Sequence, residues 1–332
     1  MRHTNNAARI NAGFTLVELM IAMLLGLLLI GGVVALFLQS SESFRVDENV
    51  ARMQDQARFA LDELARDAQM AGFIAEPVSS AAVTLDPSLA VANGCGPVGE
   101  DDWIVRLTDA GTSEDNMLTG LDNATGAAAA GAFECIDSAE FEEGSDVIAI
   151  KRMAARLLLP ADLQAGRTYV QSNGTVGLLF KEPAVAPLVG VSSMREYRPR
   201  IYYIRNYGLV EGDGIPTLCR KQLGSGDPAP VETDCIAQGI EDLQIEYGLD
   251  LDGDGAANQY LAGPTLAEIQ NIVSVHITLL ARTLTADRGY TDTRTYQVGN
   301  APAYSPNDNF HRRIYSVTVA VHNLRNLRRL GA

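Results

Sequence analysis

The sequence predicts an α+β fold in which one long N-terminal helix, membrane-spanning and then amphipathic, packs on an antiparallel β-sheet head. Three observations predict it: an apolar run over residues 14–38, a helical repeat of apolar residues after it, and segments of alternating apolar and polar residues after residue 146. We expect four segments in chain order: a leader at 1–13, a membrane-spanning half-helix at 14–38, an amphipathic half-helix at 39–72 and a β-rich extracytoplasmic head at 73–332, with a loop-rich insertion at 77–145.

The apolar run from Phe14 to Leu38 contains a single charged residue, Glu18. At about 1.5 Å per helical residue it extends roughly 37 Å, which is enough to cross a membrane's hydrocarbon core. Arg2 and Arg9 precede the run. Positive residues favour the cytoplasmic side, so we expect the N-terminus to stay in the cytoplasm and the rest to be exported. An ordinary secretory signal has a shorter apolar core, and a simple membrane anchor leaves Glu18 unexplained.

Glu18 needs an explanation because a carboxylate inside a membrane span costs up to about 2.5–3.5 kcal/mol on insertion scales, and less near the end of the span. The segment GFTLVELM at residues 13–20 resembles the prepilin signature. The resemblance implies that a prepilin peptidase cleaves after Gly13 and methylates Phe14, the new N-terminus. It also implies that Glu18, the fifth mature residue, pairs with the terminal amine of a neighbouring subunit in a filament. A coincidental match in a simple anchor is the alternative.

The polar sequence after Leu38 keeps a three-four spacing of apolar residues, which predicts an amphipathic helix. We therefore expect one continuous helix from about Phe14 to Ala71, with Gly72 as its stop. The apolar stripe should lie against the head. A free coiled coil is the alternative, but many alanines make a poor seam. The stripe comprises Val46, Val50, Met53, Ala57, Ala60, Leu64, Ala68 and Ala71.

Strand-like segments dominate the head from residue 146 onward. In the last of them Tyr315, Val317 and Val319 share one face, an alternation typical of half-buried antiparallel strands. The run ATGAAAAGA at 124–132 is low in complexity and is interpreted as a surface loop. The predicted strands cover residues 146–152, 175–181, 200–208, 241–250, 271–283 and 312–326.

The chain has four cysteines, Cys95, Cys135, Cys219 and Cys235, with no CxxC motif among them. An even count in an exported chain favours two disulfides. The simplest pairing is Cys95–Cys135 and Cys219–Cys235, since each closes a local loop, although three connectivities are open. A zinc site is disfavoured because no histidine lies at the required spacing. Four buried free thiols would fit a cytoplasmic protein instead.

The segment DLDGDGAAN at 250–258 resembles a calcium loop. Asp250, Asp252 and Asp254 occupy its first, third and fifth positions, and Asn258 the ninth; Ca²⁺ binds oxygens at such spacing. Leu261 stands where an EF-hand has a bidentate glutamate, so the motif is incomplete. An acidic hairpin turn without metal is the alternative. We expect Ca²⁺ as the one candidate cofactor.

Charge and motifs favour neither an enzyme nor a nucleic-acid binder. The formal net charge of −15 repels phosphates and anionic lipids. The sequence has no HExxH, GxSxG, Walker or helix-opening GxGxxG motif, and its four histidines are scattered. The basic C-terminus could contact DNA or an acidic neighbour, but we interpret it as a solvated strand end. Its arginines are Arg312, Arg313, Arg325, Arg328 and Arg329.

Three segments extend the resemblance: GIEDLQIEYG at 239–248, SVHITLLART at 274–283 and RRIYSVTVAVHNLRN at 312–326. With the prepilin-like N-terminus they resemble the PilW-type minor pilins, and type II secretion pseudopilins of the GspJ class share a similar layout. The resemblance implies a minor pilin that primes assembly of a type IV pilus or forms its tip complex. The alternatives are a type II secretion pseudopilin, or a tip module that binds adhesin, surface or DNA.

The resemblance also implies partners and a location. The partners would be prepilin peptidase, other minor and major pilins, the inner-membrane assembly platform and a tip adhesin; DNA is not expected. The protein would sit in the bacterial inner membrane by a single span, with its N-terminus in the cytoplasm and its head in the periplasm. After assembly it would lie in the pilus, at the tip or base.

Overall fold

A computed structural model describes residues 15–74, 79–87, 89–97, 103–108, 116–182, 190 and 193–324. The chain divides into two compact units, residues 1–49 and 50–332. The predicted leader lies outside the described residues.

Helix α1 runs from Leu16 to Gln69, close to the predicted helix. In the first unit its large apolar side chains from Leu16 to Leu38 are exposed. The most apolar window of 18 residues has a mean hydropathy of 2.8, and none of that window is buried. A core helix of a soluble protein would be mostly buried, so this part of α1 has the length and composition of a membrane span.

The second unit begins with the amphipathic part of α1, whose buried residues match the predicted stripe from Met53 to Ala68. Ala57 and Ala60 are fully buried there. Small side chains allow close packing between the helix and the sheet. Gly72 follows the helix with a φ of +73°, a left-handed conformation that glycine adopts without strain. The helix ends at Gln69, two residues before its predicted end at Ala71.

The described residues of the head form twelve strands, two short α-helices and two 3₁₀ turns. The strands are β1 Val83–Leu85, β2 Leu118–Leu121, β3 Val147–Met153, β4 Thr168–Ser172, β5 Gly177–Lys181, β6 Ser193–Arg205, β7 Thr217–Leu223, β8 Val231–Gln238, β9 Ile240–Leu249, β10 Gln259–Leu261, β11 Ile272–Arg282 and β12 Arg312–Ala320. The helices are α2 Gly126–Ala132 and α3 Leu266–Ile269, and the 3₁₀ turns are Ser80–Ala82 and Pro160–Asp162.

In the part of the chain that the structure describes, two sheets form where one was predicted. The larger has eight strands in the order β1-β5-β4-β6-β3-β2, with β7 paired to β6 and β8 to β7. Its β1–β5 pair is parallel, and its other pairs are antiparallel. The smaller sheet has the order β10-β9-β11-β12 and is wholly antiparallel. One hydrophobic core joins α1 with both sheets.

Most of the predicted strands are confirmed. β3, β5, β9 and β11 lie within two residues of their predictions, whereas β12 ends at Ala320 rather than at residue 326. The prediction at 200–208 covers only the second half of β6, because arginines and Pro199 interrupt the apolar signal of the first half. In β12 the predicted alternation is confirmed, since Val319 is buried whereas Ser316 and Thr318 are exposed.

The expectation of a surface loop at 124–132 is wrong. Residues Gly126–Ala132 form α2, and the Thr125 hydroxyl caps the helix by accepting a hydrogen bond from the Ala128 N–H at 3.2 Å. Ala129 is fully buried. Alanine has the highest helix propensity, and with a threonine cap and a buried face it forms a helix despite the low complexity of the run.

Candidate filament-assembly site

The carboxylate of Glu18 takes part in the N-terminal cap of α1. Thr15 precedes the helix, and its backbone N–H and its hydroxyl each donate to Glu18 Oε2 at 2.9 Å. The Glu18 N–H donates in turn to Thr15 Oγ1 at 3.2 Å. This reciprocal pair is a capping box, which satisfies N–H groups that a helix start leaves without partners. The sequence shows it as the spacing T-x-x-E, a signal that the prediction for Glu18 did not use.

The Glu18 side chain is exposed beside an apolar helix surface. No hydrogen bond from a described residue reaches its second oxygen, Oε1. Glu18 Oε1 could therefore accept a hydrogen bond from an ammonium group of another chain, and Thr15 already orients the carboxylate. The predicted processing residues Gly13 and Phe14 lie outside the described residues.

A buried ionic cluster attaches α1 to the larger sheet within the second unit. Asp67 is 1% exposed and lies among the buried residues of the helix. Its Oδ1 accepts from Arg152 Nε at 2.8 Å and Nη2 at 2.5 Å. Its Oδ2 accepts from Arg200 Nη1 at 2.7 Å and from the Tyr202 hydroxyl at 2.5 Å. Both carboxylate oxygens therefore bind groups on β3 or β6.

The groups around Asp67 stabilise the ionised form of its carboxylate. Burial raises the pKa of Asp67, because it disfavours the ionised form. The positive charges of Arg200 and Arg152 and the hydrogen bond from Tyr202 outweigh burial, so the pKa of Asp67 lies below its ordinary value. Asp67 is therefore an anion at neutral pH, paired with cations of the sheet.

Sequence reasoning did not single out Asp67, although a signal was present. Asp67 lies three residues after Leu64 and seven after Ala60, which places it on the apolar stripe. A charged residue inside a buried stripe needs a partner, because an unpaired buried charge is very costly. Such a position predicts an ion pair, but not which arginines of the head supply it.

Both disulfides form with the simplest predicted pairing, Cys95–Cys135 and Cys219–Cys235. Cys219 and Cys235 are direct partners in the register of β7 and β8. Cys95–Cys135 ties the segment before β2 to the residues after α2. Disulfides persist in oxidising compartments, which agrees with an exported head.

The acidic loop between β9 and β10 brings the three predicted aspartates together. Asp250, Asp252 and Asp254 each place a carboxylate oxygen within 4.8 Å of the others. Backbone N–H groups of the loop also donate to these carboxylates. Asn258 directs its Oδ1 to the Leu251 N–H at 2.7 Å and its amide nitrogen to Asp252 at 3.2 Å. Three convergent carboxylates fit a hard cation such as Ca²⁺, while Asn258 supports the loop.

The interpretation of Arg312 as part of a solvated basic strand end is wrong. Its side chain is 1% exposed. It donates to Glu241 at 2.5 and 2.9 Å and to Asp308 at 2.6 and 2.7 Å. Burial lowers the pKa of Arg312, but these hydrogen bonds and charges raise it above its ordinary value. Arg313 is exposed. The remaining arginines of the predicted group, Arg325, Arg328 and Arg329, lie outside the described residues.

Two family models match the chain. The prokaryotic N-terminal methylation motif matches residues 8–34, which contain Gly13, Phe14 and Glu18. With an apolar N-terminal helix and a β-rich head, this match defines the class of the chain as pilin-like. The second model, Type IV Pilus-assembly protein W, matches residues 201–323, from the middle of β6 through β12. Over residues 201–323 the chain is therefore similar to pilus-assembly proteins of the PilW type. No curated protein and no solved structure matches it.

Proposed function

We propose that the chain is a minor pilin that enters a type IV pilus and helps to prime its assembly or to form its tip complex. The observation that carries the proposal is Glu18, a single carboxylate in an otherwise uncharged apolar run within a matched methylation motif. A carboxylate at the edge of a membrane span costs free energy, so its presence indicates a function. The PilW-type match supports a pilus over other filament systems.

Maturation precedes assembly in this proposal. Prepilin peptidase cleaves between Gly13 and Phe14 and methylates the new N-terminus. The apolar part of α1 then holds the protein in the inner membrane, with the head in the periplasm. Arg2 and Arg9 support this orientation, because positive residues favour the cytoplasmic side. The two disulfides support an oxidising compartment for the head.

Glu18 acts at the moment of insertion into the filament. In the isolated chain Thr15 holds Glu18 Oε2. During assembly the methylated amine of a neighbouring subunit binds Oε1, and the ion pair offsets the desolvation of both charges. The capping box orients the acid, and the apolar surface of α1 packs against the helices of neighbouring pilins.

The function is tested by deletion and by crosslinking in cells. Deletion of the gene should strongly reduce the number of surface pili, and the wild-type gene should restore it. Leu27→Cys, at an exposed residue of the apolar run, should form a disulfide with a cysteine placed in the apolar helix of another pilin when an oxidant is added, and the product should be found in the sheared pilus fraction. The matched control is Leu27→Ser, which introduces a similar polarity but no thiol. Normal piliation in the deletion strain, with crosslinks to type II secretion subunits, would contradict the proposal.

A further inference from the structure

The last strand of the smaller sheet has one open edge. β12 pairs with β11 over nine consecutive residues, from Arg312 opposite Arg282 to Ala320 opposite Ser274, without a register shift. Among the described residues no strand or isolated bridge pairs with the other side of β12. A regular strand with an open edge can accept a further strand.

The hydrogen-bond pattern shows which groups face outward. The Thr283 N–H donates to the His311 oxygen at 3.0 Å, and the Val321 N–H donates to the Val273 oxygen at 2.8 Å. Antiparallel pairs alternate, so odd-numbered residues of β12 bond to β11 and even-numbered residues point away from it. The outward N–H and C=O groups of Ile314, Ser316, Thr318 and Ala320 make no hydrogen bond to a described residue. These four residues define the open edge.

The open edge lacks the usual protection against pairing. Natural edge strands carry charges, prolines or bulges, or are covered. β8, at the edge of the larger sheet, follows Pro230 and carries Glu232 and Asp234, and its Gln238 N–H is bonded to Gln56 of α1. From residue 314 to 320 β12 has no charge, proline or bulge. Its regularity therefore suits the binding of a strand.

The surroundings of the open edge are cationic, although the protein has a net charge of −15. The Arg313 guanidinium lies 5.6 Å from the centre of the Tyr315 ring. Arg58 of α1 is close enough for its charge to act on the Tyr315 hydroxyl. Both arginines are exposed, and neither forms an ion pair with a described residue. A ligand that carries a carboxylate would be attracted here.

We propose that the open edge of β12 binds an extended segment of another protein, which adds a strand to the smaller sheet. The segment places apolar side chains beside Val317 and Val319 and a carboxylate near Arg58 and Arg313. A second copy of β12 does not meet this requirement, because residues 312–320 contain no acid. Main-chain hydrogen bonds would provide affinity, and the side chains would select the partner. This inference does not depend on the proposed role in priming.

Synthetic peptides test the open edge directly. One probe is a twelve-residue peptide of alternating valine and threonine with two glutamates at one end, and its control has two lysines instead. Fluorescence anisotropy would measure binding to the full chain in detergent micelles. The glutamate peptide should bind about tenfold more tightly, and that difference should shrink at high salt, as expected for attraction between exposed charges. Equal binding of the two peptides, or no binding of the glutamate peptide, would overturn the proposal.

Two changes of the backbone complete the test. Thr318→Pro removes an outward N–H and should abolish binding, whereas Thr318→Val keeps that N–H and should bind like wild type. Two glutamate peptides, N-methylated at alternate residues in opposite phases, provide a measurement that does not depend on how Thr318→Pro folds. The peptide that is methylated at the N–H groups facing β12 should lose binding to the wild-type chain, whereas the peptide of the other phase keeps those N–H groups and should bind. Equal binding of the two methylated peptides would contradict strand addition.

Discussion

Thr15 and Glu18 exchange hydrogen bonds at the start of α1, so the acid of the methylation motif already has a partner within its own chain. A capping box works with glutamine as well as with glutamate. The proposed pairing of Glu18 with an amine requires its charge. These two roles of one side chain can therefore be separated by substitution.

Glu18→Gln should keep the cap and lose the charge, and we expect it to insert and be processed normally but to enter pili poorly. Thr15→Val should lose the threonine hydroxyl of the cap and keep the charge, and we expect near-normal incorporation. The cap contributes roughly 1 kcal/mol to the stability of the helix, and a membrane-spanning segment can lose that amount and stay helical. The measurement is the amount of each variant in sheared pili relative to the membrane fraction. Full incorporation of Glu18→Gln would show that charge is not needed.

The cluster around Asp67 predicts a large loss of stability from a single change. Asp67→Asn leaves Arg152 and Arg200 partly unpaired, so the free energy of unfolding should fall by about 3–5 kcal/mol. Asp62→Asn, an exposed change on the same helix, should alter it by less than about 0.5 kcal/mol. Denaturant unfolding of the full chain in detergent measures both. Similar stability of the two variants would contradict the role assigned to the cluster.

Asp67 also predicts how the head responds to acid. Its pKa in the folded chain lies below its ordinary value, so its ionisation stabilises the fold above the unfolded-state pKa of about 3.9. That stability is lost as pH falls from there through the folded pKa. In Asp67→Asn this part of the acid dependence should disappear, while Asp62→Asn should keep it. Unfolding free energies from pH 5 down to pH 2 provide the comparison.

Asp146 should act in the opposite sense. Burial raises its pKa to about 8, although the N–H groups of Asn123 and Ile245 oppose the shift. The folded chain then holds a proton that the unfolded chain releases near pH 4, so stability should decline as pH rises from about 4 to 8. Asp146→Asn should have a flatter profile over that range. An unchanged slope in this variant would show that Asp146 does not titrate in this way.

We propose that Ca²⁺ binds at Asp250, Asp252 and Asp254, which the loop brings together. A cation bound here would reduce the repulsion among the three carboxylates and stabilise the folded state. Millimolar CaCl₂ should therefore raise the melting temperature by roughly 2–5 °C. Asp252→Asn should remove most of that rise, and Asp62→Asn should keep it. Equal melting temperatures with CaCl₂ and with EDTA would exclude a stabilising site.

Local patterns predicted the parts of the fold that depend on neighbouring residues. The 16–69 helix, the alternation of β12 and the nearest-neighbour disulfides follow from spacing within short segments. The division into two sheets does not, because the pattern within a strand does not show which strand it pairs with, and β6 pairs with β3, which lies far from it along the chain. The partners of Asp67 were inaccessible for the same reason: Arg152 and Arg200 approach it only through the fold.

Processing as a prepilin would leave a direct trace at the N-terminus of this chain. Intact-mass and N-terminal analysis should be made on protein from membranes of cells with and without prepilin peptidase. We expect a chain that begins at methylated Phe14 when the peptidase is present, and at Met1 when it is absent. A chain that retains Met1 in both strains, or one cut near Ser40 in both, would contradict it.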